Sequence, residues 1–357
     1  RSYSVTGVQT CALPIWTNIM IEKIIDWCVR NRLIVIFSYI LLAGFGIYTL
    51  LDLPVDAIPD LSENQVIVFT EWMGRSPEVV EEQVTFPISS SLQGLAGVKA
   101  VRASTMFGMS FVFVIFDDAI DIYFARSRVI ERLNTLKNQL PAGVTPTMGP
   151  DGSGVGHVYW YTVESDRHDL GTLRAIQDWY IRLKLSAVAG VAEVASIGGF
   201  VKQYQVDVDP FKLQAFQLSV NDIARALQRN NNEVGGKLVE INDAEYFVRG
   251  QGYIRSLSDI ENIVIRSSNG VPVQIRQVAD VQIGGDIRRG SLEKDGRGEV
   301  VGGIIVMRHN ENAQSVIERV KAKIREIEPG LPQGVRIVAS YDRSELISAS
   351  KIGRAHV

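Results

Sequence analysis

The sequence predicts an α+β chain: one membrane-spanning helix near the start, then two copies of a unit made of two strand–helix–strand pieces, the second copy split by an insert. Three observations predict this. Residues 33–51, LIVIFSYILLAGFGIYTLL, carry no charge. LAGVKAVRAS (95–104) is echoed by VAGVAEVASI (188–197), and VIERLNTLKNQLPAGV (129–144) by VIERVKAKIREIEPGLPQGV (316–335). Each echo joins a helix end to the strand entry after it, which is the mark of an internal repeat.

The apolar run is long enough for a bilayer: about 19 residues at ~1.5 Å each span roughly 28 Å. Arg30 and Arg32 precede it, and Asp52, Asp56 and Asp60 follow. Basic flanks stay in the cytoplasm, so the N-terminus reads as inside and the chain beyond Leu51 as outside. Ile21 to Val29 reads as a short amphipathic lead-in along the inner membrane surface. Pro54 and Pro59 end the membrane helix.

With 46% hydrophobic and 22% charged residues the 357-residue chain is of ordered globular type. A net charge of −3 offers nothing to nucleic acid. Cys11 and Cys28 lie before the membrane run, so the outer part is expected to hold together without disulfides.

QVIVFTEWM (65–73) reads as a strand, and Ser76 and Pro77 open a helix to Gln93, with Glu78, Glu81 and Glu82 suiting its N-terminal dipole. Gly94 and Gly97 close it before the strands 98–104 and 110–116. Val129, Leu133, Leu136 and Leu140 are spaced as one helix face that Pro141 stops. Residues 157–163 are the next strand. Asp169 caps a helix with Leu173, Ile176, Tyr180 and Leu183 as its stripe, and 191–198 is a strand. The second copy breaks off near Ser196 and resumes near Glu299. Between them lie the alternating strand 203–209, a helix over 220–229 capped by Ser219, a polar, Gly-rich hairpin arm at 230–252, and short strands to Val281.

Four constellations bear on chemistry. GSGVG (152–156) precedes a strand, whereas a nucleotide loop follows one, so it is read as a flexible turn. His157, His168 and His309 have no ligand spacing, and His309 is expected at the surface before the 312–328 helix. Met73, Met106, Met109 and Met148 offer soft thioethers to a cuprous or silver ion, set against packing roles, and as scattered residues they predict no tight site. Asp56 and Asp60 are expected in water with ordinary pKa values and a capping or interface role, set against a proton relay. No serine–histidine or cysteine–histidine arrangement points to a nucleophile, so no enzyme is expected.

Several stretches resemble the N-terminal third of resistance–nodulation–division (RND) transporters, in the heavy-metal efflux branch. They include PVDAIPDLSENQV (54–66), SPEVVEEQVTFPIS (76–89), ARSRVIERLN (125–134), LPAGVTPTMGPDGSGVG (140–156), DLGTLRAIQDWYIRLKL (169–185), VAEVASIGGFVKQYQVDVDP (191–210) and VASYDRSELI (338–347). PDLS looks more like the copper/silver pumps than the zinc, cobalt and cadmium ones. The resemblance covers about Met20 to Ile347. It implies an amphipathic lead-in and first transmembrane helix (20–53) and a periplasmic pore domain of ferredoxin-like subdomains, 60–150 and 151–200 with 285–341. A docking subdomain, 200–285, is inserted in the second. It further implies a proton-driven Cu(I)/Ag(I) efflux pump of the bacterial inner membrane. The pump would be a homotrimer joined to a periplasmic adaptor and an outer-membrane channel, the 230–252 arm reaching a neighbouring protomer. The alternatives are a drug or lipid exporter of the superfamily and a single-pass anchored periplasmic binding module. The family's metal cluster and proton-relay carboxylate belong to later parts, so no catalytic, cofactor or metal residue is carried over. The ends, 1–19 and 348–357, look like adapter-derived sequence around an incomplete gene.

Overall fold

The computed structural model describes residues 18–52, 56, 58–241, 244–250, 252–268, 270–288 and 290–355. They form two units, divided before Asp56. The 1–17 part of the foreign-looking leader lies outside the described residues, and 348–355 of the tail continue a helix that starts at Arg343.

The described residues of the first unit are helical. An amphipathic helix, Asn18–Arg30, meets a second, Arg32–Asp52, at Asn31, whose N–H and side-chain amide both donate to the Trp27 carbonyl at 2.9 and 3.0 Å. Arg32–Thr49 is long and apolar enough to cross a membrane. Nearly all its side chains are exposed, Leu33 and Tyr39 by 78% and 70%. Water penalises such a surface by about 25 cal/mol per Å², and hydrocarbon does not.

In the second unit the strands β1 (Gln65–Glu71), β2 (Val98–Met106), β3 (Met109–Phe116) and β4 (Thr147–Met148) form an antiparallel sheet ordered β2-β3-β1-β4. Helices over 77–93 and Ile122–Leu136 cover one face, burying Val66, Val68, Val112, Val114 and Phe116 against Val84, Ile88, Leu92 and Val129. β5 (Gly152–Glu164), β6 (Val191–Ile197), β13 (Val301–Arg308) and β14 (Arg336–Asp342) repeat this plan in the order β14-β5-β13-β6. Their helices are 170–186 and Ala313–Ile327, and Tyr161, Val163, Leu185, Ile305 and Ile317 make the core. Both sheets have the βαββαβ, ferredoxin-like connection. Where the first turns from β2 to β3 through Phe107 and Gly108, the second carries the insert between β6 and β13.

The insert has its own core of Leu213, Ile223, Ala226, Ile260 and Ile275. Its strands are β7 (Lys202–Val208) paired with β12 (Ala279–Gly285), β10 (Val264–Ser268) paired with β11 (Val271–Gln274), and the arm β8–β9 (Val234–Ile241, Ala244–Gly250). Ser219 caps Val220–Asn230 in a reciprocal capping box with Asp222. Hydrogen bonds from the Ser219 hydroxyl and N–H hold the Asp222 carboxyl down to about 2 from 3.8. The carboxylate's contribution is complete above about pH 4 and is lost as pH falls through 2. An NMR titration of Asp222 is expected to show a midpoint near 2 in the native chain, and a higher midpoint after Ser219→Ala, which removes the hydroxyl and keeps the backbone N–H and Arg225.

Three sequence expectations are corrected. GSGVG is no turn: it opens β5, with Gly152 paired to Arg308 through register shifts. A Cβ at Gly152 would lie 2.6 Å from Val306, and one at Gly156 would lie 3.0 Å from the Met307 carbonyl, so the glycines permit close strand approach. The second helix of the first repeat ends at Leu136, although Leu140 still joins the core from the following turn. The stripe of the 170–186 helix runs through Leu173, Gln177, Ile181 and Leu185, leaving Leu183 54% exposed, because a π-turn at Gln177–Ile181 rotates the helix. The 77–93 helix has a π-turn within a turn of the corresponding place, Glu81–Thr85.

Candidate functional site

Alternation along β1 turns Val66, Val68 and Thr70 toward the helices and leaves Gln65, Ile67, Phe69 and Glu71 on the opposite face. On β6 Val191 and Val194 face the core. The residues left over from these two strands line two cavities between the repeats. Gln65 and Ile67 with Glu193 and Ala195 line one of about 760 Å³. Glu71 and Met73 with Ser196, Ile197 and Gly198 line one of about 430 Å³. The faces of the two sheets without helices thus look at each other across a cleft, and each end of β1 opens into a cavity.

At the Gln65 end the structure gathers residues that are distant in sequence. His157, His309, Gly152, Ser153 and Gly154 line the same cavity, whereas His168 lies apart in the loop before the 170–186 helix. Glu63 and Asp118 of that cavity are held by Arg102 at 2.9 Å and Lys99 at 3.1 Å. Among the described residues no three histidine, cysteine, aspartate or glutamate side chains are placed to hold a metal ion. Tyr123 of the first repeat donates to Asp151 at 3.2 Å, and Asp151 also pairs with Arg308 at 3.5 Å, which ties the two repeats together.

Asp56 and Asp60 have different surroundings. Burial pushes the Asp60 carboxyl up, but hydrogen bonds from the hydroxyl and N–H of Ser62 and from Ser153, with the charge of His309, outweigh it. Its pKa lies below the ordinary carboxylate value rather than at it, which keeps the group ionised. Asp56 pairs with Arg343 at 3.1 Å. Arg343 is only 1% exposed and donates through Nη1 to the Val155 carbonyl. Its Nε faces the carboxylate without hydrogen-bond geometry, and its Nη2 makes no hydrogen bond among the described residues. The sequence hid this residue: an arginine between a strand and a helix carries no sign of burial.

The methionines divide. Met148 packs partly against the first core. Met106 and Met109 are register partners across the β2–β3 turn, and Met73 lies against that turn at Gly108. Three of the four candidate methionines therefore lie around one turn at one end of one sheet.

A sequence model of the AcrB/AcrD/AcrF family matches residues 24–352. The chain belongs to this family. The RND family read from the motifs is the one found, and it is a family of transporters. The family implies an inner-membrane protein, and among the described residues one helix, Arg32–Thr49, is long and apolar enough to cross a membrane. It is 47% identical to SilA of Salmonella typhimurium over 331 residues, 92% of this chain and 32% of that protein. The same identity and the same shares hold for the cation efflux system protein CusA of Escherichia coli K12. A crystal structure of a heavy metal efflux pump superposes with a TM-score of 0.84 at 34% identity, covering 91% of this chain and 33% of that one. The chain thus spans about a third of the length of these relatives.

Proposed function

We propose that this chain is the leading part of a proton-driven pump that expels a heavy-metal cation, Cu(I) or Ag(I), across the inner membrane. The split repeat carries the reading. Two ferredoxin-like units, the second interrupted at its central turn, are what the resemblance implies for pore subdomains (60–150, and 151–200 with 285–341) bearing a docking insert (200–285). The likeness in sequence and fold to proteins named for cation and heavy-metal efflux supports it. The charge bias of Arg30 and Arg32 against Asp52, Asp56 and Asp60 supports a cytoplasmic N-terminus and a periplasmic second unit. The test is the full-length gene in a host sensitive to copper and silver. It is expected to raise resistance to both, and unchanged sensitivity would overturn the reading. A reporter fused after Gly143 is expected to be active only in the periplasm.

The assembly in this proposal is a homotrimer joined to a periplasmic adaptor and an outer-membrane channel. The β8–β9 arm supports the trimer. Phe247 and Tyr246 are 82% and 56% exposed, and Leu238, Val239 and Ile241 are exposed with them. An isolated two-stranded hairpin is marginal in water, so this ribbon gains its stability from a covering chain. Shortening 231–250 to a tight turn in the full-length pump is expected to leave expression intact, because the insert core lies outside the arm. Trimer cross-linking and metal resistance are expected to fall. If both hold at wild-type levels, the arm is a surface loop.

A further inference from the structure

We propose that the inner side of the bend at Asn31 binds one anionic phospholipid, with its phosphate on Arg32 and an acyl chain in the apolar groove beside it. The groove, about 520 Å³, crosses the junction of the two helices of the first unit. Ile24, Ile25, Cys28 and Val29 line it from the amphipathic helix, and Val35 and Ile36 from the apolar one. Cys28 and Val35 are half-buried, whereas Ile24, Val29 and Ile36 are 56%, 69% and 54% exposed, so the groove has a floor and an open mouth. The two bonds from Asn31 to the Trp27 carbonyl hold the bend. Steps of three and four residues, from Ile24 through Cys28 and Arg32 to Val35, keep the lining on one face. Lys23, Asp26 and Arg30 fall on the opposite face of the amphipathic helix, where Arg30 pairs with Asp26 at 3.3 Å.

Arg32 is the one charged residue among those described along the groove. It stands in the middle of the apolar stripe, is exposed, and has no acidic partner among the described residues. Arg32–Thr49 is long and apolar enough to cross the hydrocarbon, which sets the guanidinium at the level of the headgroups. A guanidinium there meets a phosphate through two parallel N–H donors. A zwitterionic lipid carries the same phosphate with an ammonium beside it, so the site favours a lipid of net negative charge. A straight helix gives a lipid chain contact along one side only. The inner side of a bend touches it from both helices and so gathers more dispersion contacts around a single chain. Which leaflet supplies the lipid rests on the proposed orientation; the site does not.

The test is native mass spectrometry of the whole chain released from detergent micelles, titrated with phosphatidylglycerol or with phosphatidylcholine. One phosphatidylglycerol is expected to bind about fivefold more tightly than phosphatidylcholine. Arg32→Gln is expected to abolish that preference with unchanged circular dichroism, and Arg30→Gln, on the opposite face, to keep it. Equal affinity for the two lipids, or an equal loss in both variants, would overturn the site, the second because it means a general attraction of basic residues. In the full-length protein, a benzoylphenylalanine photocrosslinker in place of Val35 is expected to capture phospholipid. A cross-link to another segment of the protein instead would mean that a helix fills the groove, and would overturn the proposal. A failed lipid titration leaves the efflux reading standing, and a failed resistance assay leaves the lipid site standing.

Discussion

Asp56→Ala is expected to destabilise the second unit by about 3 kcal/mol, because it leaves the buried Arg343 charge without its partner. Arg343 is 1% exposed, and the Asp56 side chain, 28% exposed, meets it at 3.1 Å. Asp342, the preceding residue, is engaged by Lys321 and by the N–H and hydroxyl of Ser344. Removing both charges is the informative control. Asp56→Ala combined with Arg343→Met is expected to be more stable than Asp56→Ala alone, since the methionine asks for no counter-ion. Denaturation in urea, followed by the fluorescence of Trp160, which sits 5.6 Å from the Tyr341 ring, would measure both. A loss below about 0.5 kcal/mol for Asp56→Ala, or simple additivity in the double variant, would remove the ion pair from the account. The pair also matters to architecture. It joins the segment that follows the apolar helix, through Val155, to the start of the helix Arg343–Ala355.

Gly198→Ala is expected to cost about as much, on the order of 3 kcal/mol, from two sources. Gly198 has φ +75°, where a Cβ costs about 1 kcal/mol. That Cβ would also lie 2.1 Å from the Val300 carbonyl oxygen, a backbone atom that cannot swing aside. Movement would disturb two further bonds: Arg174 donates to the Gly198 carbonyl at 2.8 Å, and the Gly199 N–H donates to Glu299 at 3.1 Å. Gly143 separates the two costs. Its φ is +84°, with nothing within 4 Å of a Cβ, so Gly143→Ala is expected to cost only about 1 kcal/mol. Thermal denaturation of the two variants should therefore differ clearly, and equal losses would mean that the contact with Val300 relaxes freely. The position is where the chain leaves the second repeat for the insert, and that exit is built from glycine because two chain segments must pass almost in contact.

Local and periodic signals determined much of this protein in advance. The charge-free run and the caps at Ser76, Asp169 and Ser219 each depend on residues close together in sequence, and the two echoes on one stretch repeating another, so the apolar helix, the helix starts and the split repeat were all legible. Tertiary structure alone decided whatever depends on the surface packed opposite. Val80, Val84, Ile88 and Leu92 recur every four residues, about 40° of drift at each step, and only a wide π-turn keeps such a stripe on the sheet. In the 170–186 helix the same turn buries Gln177 rather than an apolar neighbour, because Tyr161 donates to it at 3.0 Å and Ser196 accepts from it at 3.2 Å from strands on the sheet. GSGVG became strand because β13 approaches too closely for side chains. Arg343 became buried because Asp56, far back along the chain, folds onto it. Met106 became the neighbour of Met109 through strand register, and backbone bonds lay residue Met73 over their turn. Burial and meeting of distant side chains are properties of pairs of surfaces, and no single stretch of sequence contains both members of the pair.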